Sequence, residues 1–354
     1  MINPIMPSDK NFSKGPVFLY GAGRICRNLL NICSFIGIYP DYICDRNPGL
    51  WGTDIDGLKI ISPDEMKSYG LDNPIIITNV WLHSSLCTLK EHGFSNIWAF
   101  PHIGTGGKNQ TTIDENISTI NSVLENLHDE RSRFVFNEIL KFRISADLEI
   151  VESIYEGDQY FPKDIIRLSD NEVFVDGGAF TGTDTQLLIA KTNNSFEHVY
   201  VFEPQPKMAE YLKTRLHDHI EANKVSIVEK AISDKDEHVW FSVYTYSSSM
   251  NDLGHGAERI EVEAQSLDSF FKIAEYKPTF IKFDIEFSEM LGLLGADDTI
   301  GKYKPKLAIS IYHNFEDLWE IPHYLMTKYP FYDFYIRHHQ YSSVETILYA
   351  VPRS

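Results

Sequence analysis

Apolar residues come in short runs separated by polar turns along most of the chain, and the runs follow two different periods. In the first hundred positions, Pro16-Val-Phe-Leu-Tyr20 reads as a strand, Arg24 to Ile36 as a helix, and Tyr42-Ile-Cys44 as a second strand ending at Asp45. Pro74 to Thr78, a helix near Ser84 to His92 and Asn96 to Phe100 continue the alternation, which predicts a small α/β unit over 1–110. Gly104-Thr-Gly-Gly107 and the polar residues behind it read as a linker, because glycine and short polar side chains neither nucleate a helix nor pack a strand. From Thr119 to Arg143 apolar residues recur at helical spacing with a break near Asp129, so 111–170 is expected to be a helical linker or lid.

The stretch 171–354 returns to strand, helix, strand. Buried strands are predicted at Glu172 to Asp176, His198 to Phe202, Val225 to Val228, Thr279 to Asp284 and Lys306 to Ile311. Two further strand-like runs, Glu237 to Tyr244 and Arg259 to Glu263, interrupt the alternation. Phe331 to Arg337 and Glu345 to Val351 are spaced to close the sheet as a hairpin. The pattern describes an α/β fold: a doubly wound, mainly parallel sheet with an antiparallel last strand, preceded by a smaller Rossmann-like α/β domain.

Composition narrows the function classes. The 354 residues carry 32 Lys and Arg against 50 Asp and Glu, a formal charge of -18, which repels nucleic acid and anionic membrane surfaces. Met1 to Lys14 lacks the apolar core of a signal peptide, and no run reaches the roughly 18 apolar residues of a membrane-spanning helix, so a cytoplasmic location is expected. Cys26, Cys33, Cys44 and Cys87 form no Cys-x-x-Cys pair and are expected to be buried or half-buried thiols. The sequons at Asn11, Asn109 and Asn116 carry no meaning without export.

The chemistry concentrates at Val173-Phe-Val-Asp-Gly-Gly-Ala-Phe-Thr-Gly-Thr-Asp184. A strand there delivers Asp176 to a sheet edge, and Gly178 and Gly182 let a ligand approach bare backbone. One βαβ unit later Glu203 ends the next strand, where an acid accepts both hydroxyls of a ribose. The loop lacks the Gly-x-Gly-x-x-Gly pattern that seats a pyrophosphate, so a nucleoside without phosphates fits better, and S-adenosyl-L-methionine is such a nucleoside.

Six motifs in order, Gln159-Tyr-Phe-Pro162, Val173 to Ala179, Val201-Phe-Glu-Pro204, Lys282-Phe-Asp-Ile-Glu286, Ile309-Ser-Ile-Tyr-His313 and Glu345-Thr-Ile-Leu-Tyr349, are similar to those of the FkbM family of S-adenosylmethionine-dependent methyltransferases. The resemblance covers the chain from about Asp129 onward. It implies the class I methyltransferase fold and O-methylation of a hydroxyl on a sugar, glycan precursor or small natural product. One departure stands out: the family usually has Gly after the Glu of Asp-x-Glu, whereas Phe287 follows Glu286 here, so a reshaped loop is expected.

Each candidate has two readings. Asp176 faces the charged tail of the cofactor or caps a helix. Thr181 and Thr183 donate to the cofactor carboxylate or cap the same helix. Glu203 holds the ribose or is merely solvated, and Ala231 and Ile232 form an apolar wall for adenine or an ordinary strand end. Asp284 and Glu286 lie on one side of a strand end, where Asp284 would hold the cofactor amine and Glu286 would take the acceptor proton or hydrogen-bond to the acceptor. His313 is the other base candidate. Gln159 and Tyr160 fold over the cofactor or simply pack. Trp240, Phe241, Tyr244 and the Ser247 to Met250 turn line an acceptor cleft or cover a patch. Asp284, Glu286, His313, His338 and His339 offer mixed ligands for a metal, but their spacing demands none, and no metal is assigned. In the first domain, Gly21-Ala-Gly23 with Asp45 is a partial dinucleotide fingerprint whose third glycine is replaced by Cys26. It resembles domains of sugar-nucleotide enzymes, which leaves open a nucleotide- or NAD-linked function, or a module used for docking or homodimer contacts.

Overall fold

The computed structural model describes residues 15–23, 25–27, 29–30, 33, 38–79, 81–99, 110–145, 148–243, 248–249 and 258–353. The chain divides into two compact units. The first comprises Met1–Asp114, Phe136–Tyr155 and Gln340–Val344; the second comprises Glu115–Val135, Glu156–His339 and Glu345–Ser354. The stretch 111–170 is therefore shared between the two, because short helices bury too little apolar surface to make a core alone.

In the first unit, β1 (Phe18–Tyr20), β2 (Tyr42–Cys44), β4 (Leu58–Ile61), β5 (Ile75–Ile77) and β6 (Ile97–Ala99) run parallel, and the short β3 (Asp54–Ile55) pairs antiparallel with β4 at one edge. β3 and β4 are not among the strands expected above. Their signal is Asp56-Gly57, both with positive φ, the pair that a two-residue hairpin turn requires. The helix expected over Arg24 to Ile36 falls partly outside the described residues, of which 25–27, 29–30 and 33 are helical. Gly104 to Gly107, Tyr244, Ser247 and Met250 also lie outside them. Cys26, Cys33 and Cys44 are buried thiols; burial pushes Cys26 up to about 11 and Cys44 up to about 12.

The second unit is built on seven strands in the order β16-β17-β15-β14-β7-β8-β9. β7 (Val173–Gly177), β8 (His198–Phe202), β9 (Val225–Val228), β14 (Phe280–Phe283) and β15 (Lys306–Ser310) are parallel, while β17 (Thr346–Pro352) runs antiparallel to both β15 and β16 (Tyr332–His338). All five residues of β7 and of β8 are buried, as expected for strands covered on both faces. Phe161, Phe174 and Phe280 pack as a triad with ring centroids 5.1 to 5.8 Å apart. The insertion folds as a sheet of its own, with β10 (Ala231–Ile232), β13 (Glu258–Gln265), β11 (Glu237–Val243) and β12 (Ser248–Ser249) in that order.

The break expected near Asp129 is real. The helix Ile117–Asn126 stops, Leu127 and His128 pair with Phe334 of β16, and Asp129 accepts the Ser132 N–H to start the helix Glu130–Ser145. Arg337 of β16 fixes that junction from below, with its guanidinium on Asp129, Asp164 and Glu156.

Candidate functional site

β7 lies between β8 and β14, the place where strand order reverses and where open parallel sheets collect ligands. A cleft with about 240 Å³ of space opens at the carboxyl ends of these strands. Gly178 makes the turn after β7 with φ of 76°, and a Cβ there would sit 1.9 Å from the Asp284 carbonyl oxygen. Only glycine lets the turns after β7 and β14 approach this closely. Phe180, with φ of 47°, forms part of the rim.

Asp176 does not reach the cleft. It is fully buried, with one oxygen 3.0 Å from Lys282 Nζ and the other accepting the Thr185 hydroxyl at 2.6 Å. The sequence reading turned its carboxylate toward a cofactor, but alternation along β7 points it inward. There Lys282, from the neighbouring β14, supplies the countercharge. Lys282 also lies 3.1 Å from Asp184 and under the Tyr160 ring. Burial opposes its charge, but the aspartates outweigh burial and raise its pKa.

Glu203 lines the cleft at the end of β8, its two oxygens accepting the backbone N–H groups of Phe180 and Gln205 at 2.9 Å each. Burial pushes it up to about 7 against those two hydrogen bonds. Ala231 and Ile232, buried in β10, form one wall together with Phe241.

Asp284 occupies the floor. Tyr160 donates its hydroxyl to one oxygen and Tyr312 to the other, both at 2.9 Å. Burial works against its charge, but Lys282, His313 and the two phenols hold the carboxyl below the usual range. Glu286 lines the cleft beside it, with Glu286 and Phe287 both left-handed at φ of 50° and 71°. This explains the glycine usual after the Glu: the turn keeps its left-handed shape here with a bulkier residue, whose ring packs 5.3 Å from His313.

His313 is buried behind this floor. Its Nδ1 lies 3.0 Å from Glu289, and its Nε2 lies 3.5 Å from both Asp284 and Glu286, close enough for ion pairing but without the alignment of a hydrogen bond. Burial disfavours its charge, yet Glu289, Asp284 and Glu286 outweigh burial and lift it to about 10. Its three acidic neighbours favour the charged ring, which suits holding a proton better than the base role expected above. Ligating atoms of Asp284, Glu289 and His313 fall within 4.8 Å of one another, a grouping that could hold a metal ion. His338 bonds Thr346 and His339 bonds Tyr349, so neither joins that group.

Of the residues singled out in the sequence, Gly178, Glu203, Ala231, Ile232, Phe241, Asp284 and Glu286 line the cleft. Tyr160 and Gln159 act on it through Asp284 and Glu345 respectively. Thr181 and Thr183 hydroxyls lie 3.1 Å apart at the helix start, where Gly182 holds the cap position with φ of 73°. The sequence reading missed Tyr312 and Glu345, which line the cleft, although both stand inside quoted motifs. Glu345 is half-buried and left-handed at φ of 66°, and it accepts a hydrogen bond from Gln159. In the first unit, Asp45 gives one oxygen to the Ala22 N–H and the other to Asn47 at 2.8 Å, so both its oxygens already accept backbone N–H groups.

The family model for the methyltransferase FkbM domain matches residues 176–343. That stretch, a little under half of the chain, is similar to an FkbM methyltransferase domain. Its sheet order, cleft and strand-end acids all fall inside or beside the matched residues. The crystal structure of methyltransferase FkbM from Methylobacillus flagellatus KT is similar with a TM-score of 0.72 at 24% identity, covering 95% of this chain and 90% of that one, which shows a shared fold. Two more distant structures, an O-methyltransferase from Bacillus cereus in complex with SAH (12% identity, 69% and 96% covered) and fibrillarin from Aeropyrum pernix with S-adenosyl-L-methionine (10%, 53% and 71%), each reach a TM-score of only 0.34. No curated protein matches the sequence. Among the described residues no helix is long and apolar enough to cross a membrane.

Proposed function

We propose that the FkbM domain binds S-adenosyl-L-methionine in the cleft and methylates a hydroxyl on a sugar, glycan precursor or small natural product. One observation carries this reading: the cleft is lined by apolar side chains together with the carboxyl groups of Glu203, Asp284, Glu286 and Glu345. Its one lysine, Lys230, is paired with Glu263. Such a lining favours a cationic nucleoside and disfavours a phosphate chain.

S-adenosyl-L-methionine, when bound, supplies a methyl group on a positively charged sulfur. Glu203 would accept the ribose hydroxyls, Ala231 and Ile232 would cover adenine, and Asp284 would face the positive tail over the bare backbone of Gly178. Asp176 acts indirectly, by holding Lys282 in place beneath the turn. Gly182 and Thr181 set the start of the helix that follows. Glu286 hydrogen-bonds the acceptor and helps align it, and alignment supplies much of the rate for a displacement whose donor is already activated.

Calorimetry on the full chain tests this reading. S-adenosylhomocysteine and S-adenosylmethionine should both give heat, and Gly178→Val should abolish it by filling the turn. Binding of NAD with no heat from either sulfur ligand would overturn the proposal.

A further inference from the structure

We infer that Glu345 is the proton-accepting group of this cleft: it carries a proton while the cleft is empty, gives it up when a sulfonium enters, and then takes the proton of the acceptor hydroxyl. The inference rests on the cofactor reading above and extends it to the base.

The geometry comes first. Glu345 immediately precedes β17 and faces the same cleft as Asp284, Glu286 and Tyr312. Its carboxyl has one side-chain donor, Gln159. Its backbone is held left-handed, a conformation that costs a non-glycine residue of order 1 kcal/mol or more. Tyr160, Glu286 and Phe287 share that conformation around the same floor, and such strain gathers where side-chain direction matters.

The surroundings then divide the roles. Asp284 is anchored by two phenols and stays charged, and Glu286 lies 3.5 Å from the protonated ring of His313, which weakens it as a base. Among the described residues no cation forms an ion pair with Glu345. Burial raises its pKa most, Asp284 and Asp184 raise it further, and Gln159 and His313 pull it back, leaving it at about 8. The phenols of Tyr160 and Tyr312 are raised chiefly by burial, then by Asp284, and Glu345 adds to both. Two neighbouring carboxyls driven in opposite directions have different jobs: one holds charge and the other moves a proton.

The step balances without a further reagent. Glu345 takes the hydroxyl proton as the oxygen–methyl bond forms and the sulfur–methyl bond breaks, with the electron pair left on sulfur, and the proton then passes to water.

Infrared difference spectra of the full chain, wild type against Glu345→Gln, test the inference. The empty wild type should show a protonated-carboxyl band that disappears with a midpoint near 8 and is missing in the variant. Gln159→Met, which removes the donor, should raise that midpoint and keeps the test open if Glu345→Gln fails to fold. Calorimetry with S-adenosylmethionine at pH 7, in two buffers of different ionisation enthalpy, should show greater proton release in wild type than in Glu345→Gln, which keeps only the share that Glu203 gives up. An unchanged band, or equal proton release in the variant, overturns the inference. Absence of heat from either sulfur ligand in wild type sinks the cofactor reading and the proton handover together, while the titration of the empty protein still decides where the proton resides.

Discussion

Glu203 shows how one residue can be read from sequence in position and misread in state. Its place at a strand end one unit after the glycine loop is visible in Val201-Phe-Glu-Pro204, but nothing in that motif says that the carboxyl is buried and titrates near 7. An acid that must accept ribose hydroxyls does so best when ionised. Raising the pH from 6 to 8 should therefore tighten S-adenosylhomocysteine binding by about tenfold, with a midpoint near 7. Glu203→Gln should bind more weakly and lose this pH dependence around 7; calorimetric titration at three pH values decides the matter. Asp176 illustrates the opposite error. Its motif marks it as a site residue, yet whether a strand-end aspartate faces a ligand or a buried lysine depends on the neighbouring strand, and Lys282 lies 106 residues away in sequence.

The tie between β7 and β14 is an ion pair between two side chains that are essentially inaccessible to water. Breaking one partner strands the other in a medium that solvates it poorly. Lys282→Met should cost about 3 to 5 kcal/mol, read as a fall in the urea midpoint, and replacing Asp176 by Asn at the same time should recover part of it. The parallel strands were legible because their apolar runs are continuous, and the junction at Asp129 was legible because an acid interrupts a helical stripe. The short β3 and β4 were not, since two- and four-residue strands carry too little periodicity and the Asp56-Gly57 turn has to be recognised by itself. Glu345 was hidden for a similar reason. It reads as the polar end of a strand, and its role emerges only once β17 lies beside β15.

Across the whole molecule, Glu203, Glu345 and His313 act on stability in the same direction. Glu203 and Glu345 lose their protons near 4.5 when unfolded, but at about 7 and about 8 when folded. Between those limits the folded state binds more protons, so stability falls as pH rises. His313 is charged in the folded state up to about 10 against 6.5 unfolded, so its contribution is complete below 6.5 and lost as pH climbs toward 10. Asp129 and Asp284, lowered by their partners, stabilise at pH above their ordinary 3.8 and lose this only in stronger acid. The melting temperature should accordingly peak near pH 5 and decline by roughly 10 °C toward pH 9. Circular dichroism melts check it, and the double variant Glu203→Gln, Glu345→Gln should flatten the decline below about pH 6.5, where His313 does not yet contribute. A flat wild-type profile would contradict the raised carboxyls of Glu203 and Glu345.

The two phenols on Asp284 carry a kinetic consequence. Because Tyr160 and Tyr312 each hold one oxygen before any ligand arrives, the receiving carboxylate needs no rotation and no search for partners. Mixing the empty protein with ligand should give one concentration-dependent phase with no slower step behind it, and a crystal grown empty should accept the ligand by soaking without cracking.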